Sequence, residues 1–255
     1  MNLQMNSKIS SKYRSRLQIV RVISENWAKQ NLYCVSCSSD YLSEEKTNTD
    51  VFDFFCDQCG AKYQLKSSRI FNPSKIPDAG YDSMISAIKK NDIPNLLIMH
   101  YSLNWSVRNL ILIPYFFVSH STIEKRKPLS PNARRAGWVG CNILLKAIAP
   151  EGKIYMVSDG NIVSFTEVRK EYDLVKPLSK LDSKIRGWTL DVLNIARSLR
   201  KKQFDLHDIY EYEDYFKKLY PENKNIRPKI RQRLQVLRDL GILQFEGEGN
   251  YRFLF

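Results

Sequence analysis

Residues 51–67 read VFDFFCDQCGAKYQLKS, and this stretch decides how the N-terminal part of the chain folds. Apolar and polar residues alternate over 51–55 and again over 63–67, which predicts two strands joined as a hairpin or ribbon. Strand side chains alternate with period two, so Gln64 and Lys66 project from one face of the second strand. The sequence therefore predicts a paired ribbon with polar groups at one end.

Four cysteines surround this ribbon in two C-x-x-C knuckles with 18 residues between them. They are Cys34, Cys37, Cys56 and Cys59. Two knuckles with this spacing, typical of zinc ribbons, place four thiolates around one Zn²⁺ as a tetrahedron. Because the protein supplies all four ligands, no position is left for water, and we expect a structural zinc site. The fifth cysteine, Cys141, lies in an apolar run and is interpreted as a small packed hydrophobic residue.

Asp53 lies in the first strand and meets Gln64 and Lys66 if the two strands pair. A carboxylate, an oxygen donor and an ammonium group together are typical of a phosphodiester-cleaving site. The interpretation is that Asp53, Gln64 and the backbone carbonyl of Leu65 hold Mg²⁺ at the scissile phosphate. Lys66 would position the attacking water and stabilise developing negative charge. The same spacing also fits solvated residues on the face of a strand.

The composition points to a polyanionic partner. The chain has 255 residues, a net charge of +13 and a pI near 9.5, which favour nucleic acid first and an anionic membrane surface second. The hydrophobic content of 43% is enough for buried cores in two domains. No run approaches the ~20 apolar residues of a membrane span, and the polar N-terminus lacks a signal core. We expect a cytoplasmic protein without a membrane partner, whose paired cysteines bind metal rather than form disulfides.

The C-terminal part has a different pattern. Apolar residues at helical spacing predict three helices, and two short apolar runs flank the Gly-rich turn EGEGN, which predicts a hairpin. Three helices followed by a hairpin are the winged-helix arrangement. The charged stretch 166–186 is interpreted as a linker, so the predicted domains are 1–182 and 183–255. The three predicted helices are Trp188–Lys201, Leu206–Tyr220 and Asn225–Leu240.

The third of these helices is expected to contact DNA. Arg227, Arg231 and Gln235 lie at i, i+4 and i+8, away from the apolar stripe. Arginine matches guanine and glutamine matches adenine in the major groove. Lys224 and Lys229 add positive charge to the same segment. The alternative interpretation is a basic helix face in solvent.

A second basic cluster lies in a loop that contains two prolines. Its members are Lys125, Arg126, Lys127, Arg134 and Arg135, and Trp138 follows. We interpret the basic residues as phosphate or base contacts. From the residues alone, Trp138 fits either a packed core or an apolar face offered to DNA.

Three segments resemble one known family. They are VFDFFCDQCGAKYQLKS, RKPLSPNARRAGWVGCNI (Arg126 to Ile143) and RPKIRQRLQVLRDLGIL (Arg227 to Leu243). The chain is similar to the DpnI-type methyl-directed restriction endonucleases of the PD-(D/E)xK superfamily, over nearly its whole length. The resemblance implies an α/β fold: a PD-(D/E)xK nuclease domain with an embedded four-cysteine zinc site, then a winged helix. It also implies Mg²⁺-dependent double-strand cleavage at GATC carrying N6-methyladenine.

By position in that resemblance, Asp53 would be a metal ligand, Lys66 the catalytic lysine and Trp138 a reader of the adenine methyl groups. One departure is Gln64, which stands where the superfamily has an acidic residue; its amide oxygen can bind Mg²⁺ but contributes no charge. The expected partner is double-stranded DNA with methylated adenine, bound by a monomer. Two alternatives stay open: a non-cleaving methyl-DNA reader or transcription regulator, which Gln64 favours, and a methylation-blind PD-(D/E)xK nuclease.

Overall fold

The computed structural model describes residues 1–45 and 52–255. The chain folds as two compact units, each assembled from separate stretches. The first unit comprises residues 1–72, 93–115 and 151–173; the second comprises 73–92, 116–150 and 174–255. Three stretches that the sequence assigns to the first domain, 73–92, 116–150 and 174–182, thus belong to the same unit as the C-terminal residues.

The helices and strands have the following bounds. The helices are α1 (Arg16–Asn31), α2 (Tyr81–Lys90), α3 (Phe165–Val175), α4 (Ser183–Ser198), α5 (Leu206–Tyr210), α6 (Glu213–Leu219) and α7 (Ile226–Asp239). The strands are β1 (Ser43–Glu44), β2 (Phe54–Phe55), β3 (Lys62–Ser68), β4 (Ile76–Gly80), β5 (Asn95–Tyr101), β6 (Val107–Ile113), β7 (Ile123–Lys125), β8 (Gly140–Ile143), β9 (Ile154–Ser158), β10 (Asn161–Ile162), β11 (Gln203–Asp205), β12 (Leu243–Gly247) and β13 (Asn250–Phe253).

The first unit is built on one mixed sheet with the strand order β1-β2-β3-β5-β6-β9-β10. Its strands pair antiparallel except β3 and β5, which are parallel. Strands β5 and β6 are almost continuously buried, as predicted by the apolar runs over 94–101 and 107–114, which are typical of central strands. The predicted ribbon is confirmed where the chain is described: β2 pairs antiparallel with β3, Phe54 opposite Tyr63. Val51, at the predicted start of the first strand, lies outside the described residues.

Helix α1 packs on this sheet through a short apolar face. Ile23, Trp27 and Ala28 are at most 2% exposed. Apolar residues at spacings of three and four over 12–31 predict one helix face with Leu17, Val20, Ile23 and Trp27. Leu17 is 83% exposed, so its assignment to the buried face is wrong. The first turn of α1 borders a cavity rather than the core, and this leaves Leu17 at the surface.

The second unit contains two three-stranded sheets, β4-β8-β7 and β11-β13-β12. The C-terminal prediction of helices followed by a hairpin is confirmed, and β11 adds a strand that the sequence did not indicate. The stripe of α7 is buried as predicted: Ile226, Ile230, Leu234 and Leu237 are at most 3% exposed. The predicted helix 206–220 is divided into α5 and α6.

The predicted linker 166–186 is wrong. It contains α3, a 3₁₀ turn over Lys176–Lys180 and the start of α4. The side chains of Val168, Tyr172, Val175 and Leu178 recur at helical spacing and are buried. Helix α4 starts five residues before the predicted Trp188, because the Asp182 side chain accepts a hydrogen bond from the Lys184 amide and caps the helix. Among the described residues, no helix is both long and apolar enough to cross a bilayer.

Candidate functional site

The two knuckles bring their four sulfur atoms into one cluster. The Sγ atoms of Cys34, Cys37, Cys56 and Cys59 all lie within 4.8 Å of one another. Cys34 and Cys59 approach to 3.6 Å, as do Cys37 and Cys56. In a tetrahedron with Zn–S bonds of about 2.3 Å, sulfur atoms stand about 3.8 Å apart. The donor set and its spacing therefore fit Zn²⁺.

Hydrogen bonds hold the knuckles in place. The Gly60 amide donates to the Cys56 carbonyl over 2.8 Å, and Gly60 has a φ of 72°, which favours glycine. The Tyr63 hydroxyl lies 3.2 Å from Cys34 Sγ and accepts a hydrogen bond from the Val35 amide. The Arg169 guanidinium donates to the carbonyl of Cys34. Tyr63 and Arg169 thus connect the first knuckle to β3 and α3 of the first unit.

The second knuckle links β2 to β3, which carry the predicted catalytic residues. The Leu65 amide donates to Oδ2 of Asp53 over 2.7 Å, and the Asp53 amide donates to the Tyr63 carbonyl. Asp53 thus lies directly beside the Gln64-Leu65-Lys66 segment. All four residues line one cavity of about 440 Å³. The structure brings together the carboxylate, the amide and the ammonium that the sequence proposed as a site.

The cavity also contains a carboxylate that the sequence analysis missed. Glu25 of α1 lines it, held by Arg21, whose Nε lies 2.7 Å from the Glu25 carboxylate. The only sequence signal was an Arg–Glu pair four residues apart, which is equally typical of a solvated helix face. Packing of α1 on the sheet turns this pair toward Asp53.

The two carboxyl groups influence each other. Burial raises the pKa of Asp53, while the Leu65 amide and the charges of Lys66 and Arg21 lower it. Burial also raises the pKa of Glu25; the hydrogen bond and the charge of Arg21 lower it, and the negative charge of Asp53 raises it. Two half-buried carboxyl groups that repel each other are typical of a cation site.

Trp138 lies in the second unit, at the end of the predicted basic loop. The Leu129 amide donates to the Trp138 carbonyl, which closes the loop. The Arg135 guanidinium lies 4.7 Å from the centre of the indole ring. A Cβ atom at Gly140 would come within 2.7 Å of Trp138 Cη2, so the glycine leaves the space that the indole fills. The ring is half-buried, intermediate between the two predicted alternatives.

The basic loop residues are at the surface of the second unit. Arg126, Lys127, Arg134 and Arg135 are exposed, and the Lys125 ammonium lies 5.0 Å from the centre of the Tyr81 ring. The positively charged side chains of this loop are therefore accessible to a ligand.

The polar face of α7 is exposed, but one arginine of the predicted base-reading set is paired. Arg231, Gln235 and Lys224 are exposed, and Lys229 is half-buried. Arg227 donates from Nε to Glu213 of α6 over 2.6 Å and lies over the Tyr210 ring. Arg231 and Gln235 are therefore the more available members of the predicted base-reading set.

Comparison with known families agrees with these features. Residues 1–181 match the model of DpnI, described as the Dam-replacing family. The chain belongs to the DpnI family of methyl-directed restriction endonucleases. Residues 184–253 match the DpnI C-terminal model, described as the Dam-replacing helix-turn-helix domain. The DpnI family match extends from α1 to the 3₁₀ turn before α4, and the helix-turn-helix match extends from α4 to β13.

Proposed function

We propose that the protein is a Mg²⁺-dependent endonuclease that cuts both strands of DNA at GATC carrying N6-methyladenine. The observation that carries this proposal is the 2.7 Å hydrogen bond from the Leu65 amide to the Asp53 carboxylate. It keeps the carboxylate beside Gln64 and Lys66 in one cavity. The proposal assigns the first unit's sheet and α1 to the PD-(D/E)xK fold, and it keeps 1–182 and 183–255 as the domains.

The donor set fits Mg²⁺, which prefers oxygen ligands. Asp53, Gln64 and the Leu65 carbonyl would hold the ion, and Glu25 adds a carboxylate on the same cavity. Glu25 thereby restores the negative charge that the amide of Gln64 lacks. When bound, Mg²⁺ polarises the scissile phosphate and lowers the pKa of a bound water.

The other residues of the site either contact the phosphate or hold another site residue in position. The Lys66 ammonium donates hydrogen bonds to the attacking water and to the phosphate oxygens, where it stabilises the negative charge that develops. Arg21 holds the Glu25 carboxylate in place over 2.7 Å. Zn²⁺ bound by the four cysteines would fix the turn between β2 and β3, and with it the distance from Asp53 to Lys66.

Recognition is proposed to involve two elements of one monomer. Arg231 and Gln235 of α7 would read bases in the major groove, with Lys224, Arg227 and Lys229 nearby. The basic loop, Lys125, Arg126, Lys127, Arg134 and Arg135, would hold phosphates, and Trp138 would contact the adenine methyl groups. One buried methyl group contributes only about 1 kcal/mol, so strong methyl dependence needs more than one contact.

Digestion of DNA from two hosts tests the proposal. The full chain is incubated with Mg²⁺ and plasmid from a host that methylates adenine in GATC, or from one that does not. We expect fragments whose ends map to GATC sites from the methylated plasmid only, and none with Lys66→Ala. Cutting of both plasmids would support the methylation-blind nuclease. Tight binding to the methylated plasmid without cutting at any Mg²⁺ or Mn²⁺ concentration would support the non-cleaving reader.

A further inference from the structure

A second cavity of about 440 Å³ adjoins the Asp53 cavity in the first unit. The two cavities share the lining residues Arg16, Val20, Ser68, Arg69 and Tyr101. They are therefore parts of one groove. The groove runs from the catalytic segment of β3 to the turn between β5 and β6.

The second cavity is basic. Among the described residues that line it, Arg16 and Arg69 are charged and none is acidic. Both arginines are exposed, and their positive charges lower the pKa of the Tyr101 hydroxyl, which burial raises. The two guanidinium groups thus approach one point of the groove from α1 and from the end of β3. Two arginines on one cavity wall are suited to a phosphate group.

An aromatic pair forms another wall. The rings of Tyr101 and Trp105 are stacked, with centroids 5.1 Å apart and planes within 6°. Trp105 has a φ of 59°, a left-handed conformation that is strained for a bulky residue. The turn maintains it: the Trp105 amide donates to Ser102, and its carbonyl accepts from Met5 over 2.8 Å. Strain of this kind, about 1–3 kcal/mol, is typical of functional sites.

Three large aliphatic side chains line the same groove in solvent. Leu17, Ile70 and Leu103 are 83%, 78% and 74% exposed. Leu17 lines the Asp53 cavity, and the other two line the second cavity. A groove wall that combines exposed arginines, stacked rings and aliphatic side chains matches the alternation of phosphate and deoxyribose along DNA.

We propose that the second cavity binds the sugar–phosphate backbone of the cleaved strand next to the scissile phosphate. Arg16 and Arg69 contact phosphate oxygens, and Trp105, stacked on Tyr101, packs against a deoxyribose. The inference rests on the proposed function, because the scissile phosphate defines where the strand enters the groove. It assigns DNA contacts to residues outside both predicted basic clusters.

Salt-dependent binding and backbone protection test this subsite. The full chain carries Lys66→Ala to prevent cutting, and its affinity for a methylated GATC duplex is measured at several salt concentrations. We expect Arg16→Ala with Arg69→Ala to lower the slope of log K against log salt by about 1.8, at roughly 0.9 per phosphate contact. Arg14→Ala, an exposed arginine two residues before Arg16 that lines neither cavity, is the matched control and keeps the parent slope.

Hydroxyl-radical footprinting on the same duplex shows where the contacts lie. We expect the double variant to lose protection of the few nucleotides on one side of the target phosphate. Trp105→Gly, which accepts the left-handed backbone, is expected to remain folded by circular dichroism and to lose protection at the same place. An unchanged slope and an unchanged footprint in the double variant would overturn the subsite.

The two proposals fail in different ways. If the chain with Lys66 intact does not cut but the double variant shows the lower slope and shorter footprint, the nuclease proposal fails and the backbone subsite stands. If the chain cuts methylated DNA and the double variant keeps both binding properties, only the subsite fails.

Discussion

The Leu65 amide donates a hydrogen bond to the Asp53 carboxylate over 2.7 Å, across a separation of 12 residues. The chain between them contains the second cysteine knuckle, whose turn sets the register of β2 against β3. The predicted zinc site therefore also sets the geometry of the predicted Mg²⁺ site, because both depend on the same turn.

Loss of one zinc ligand should destabilise the protein and abolish cleavage together. Cys37→Ser leaves three thiolates, so we expect loss of bound zinc, a lower melting temperature and no cleavage. Mass spectrometry of the native protein measures the zinc content, and thermal denaturation measures the melting temperature. Cys141→Ala, a change at a buried cysteine outside the cluster, should keep one zinc per chain. A Cys37→Ser protein that melts and cuts like the parent would contradict a structural zinc.

Gln64→Glu should lower the Mg²⁺ concentration needed for half-maximal cleavage several-fold. The added charge lies on the cavity that already contains Asp53 and Glu25, and a more negative oxygen donor set binds Mg²⁺ more tightly. Cleavage rate against Mg²⁺ concentration measures the shift. Gln30→Glu, on the exposed part of α1, is the control. An unchanged Mg²⁺ requirement would show that Gln64 is not a ligand.

Glu25→Gln should raise the Mg²⁺ requirement, on the order of tenfold or more, because it removes a carboxylate from the Asp53 cavity. Glu167→Gln, at an exposed position of α3, should change nothing. Adding Gln64→Glu to Glu25→Gln should recover part of the lost affinity, since the charge returns to the same cavity. If Glu25→Gln cuts at the parent's Mg²⁺ concentration, Glu25 is only a structural partner of Arg21.

Gly140→Ala and Trp138→Ala should both lower the preference for methylated over unmethylated DNA. The added methyl group would come within 2.7 Å of Trp138 Cη2, so the indole has to move. Gly80→Ala is the matched control, because its Cβ would lie 3.5 Å from Trp138 Nε1, an ordinary contact. The ratio of dissociation constants for unmethylated and methylated duplexes is the measurement. Equal ratios in parent and Gly140→Ala would show that the indole position does not set methyl preference.

Asp191→Asn should flatten the pH dependence of stability. Burial raises the pKa of Asp191 to about 6, although Ser121 and Tyr220 donate hydrogen bonds to it. In the unfolded chain an aspartate ionises near pH 3.9, so the folded state keeps its proton longer. Stability is therefore lost as pH rises between about 4 and 6, by roughly 3 kcal/mol in total.

Urea unfolding at pH 4, 5, 6 and 7 measures this contribution. The asparagine variant does not titrate, so its stability should decline less than the parent's over that range. Asp214→Asn, at an exposed position, should follow the parent curve. Parallel curves for parent and Asp191→Asn would show that the buried carboxyl group does not titrate in this window.

Local patterns predicted the ribbon, the cysteine cluster and the buried stripe of α7, because each depends on residues close in the sequence or on strict periodicity. The Asp159-Gly160 pair predicts a hairpin turn for the same reason, and both residues have positive φ between the paired strands β9 and β10. The position of Glu25 in the site could not be predicted from the sequence, because it depends on how α1 packs on a sheet built from residues far along the chain. The error at Leu17 has the same origin.

The linker prediction for residues 166–186 is wrong for a different reason. Its buried positions do follow helical spacing, but charged residues between them outnumber the apolar ones and hide the pattern. The division of residues 206–220 into α5 and α6 also lacked a proline or glycine signal. Asp205 and Asp208 form a capping box that starts α5, which a propensity argument does not locate.

The ion pair between Arg227 and Glu213 places a carboxylate in competition with DNA for an arginine of the proposed DNA-reading helix α7. In the proposed complex, a phosphate or base has to displace a carboxylate that already occupies Arg227 Nε at 2.6 Å. Water screens an exposed pair of this kind, so its displacement costs little at a cognate site with many other contacts. On random DNA, where few contacts form, the same cost removes much of the gain from this arginine, and it thereby shortens the time spent on the wrong sequence.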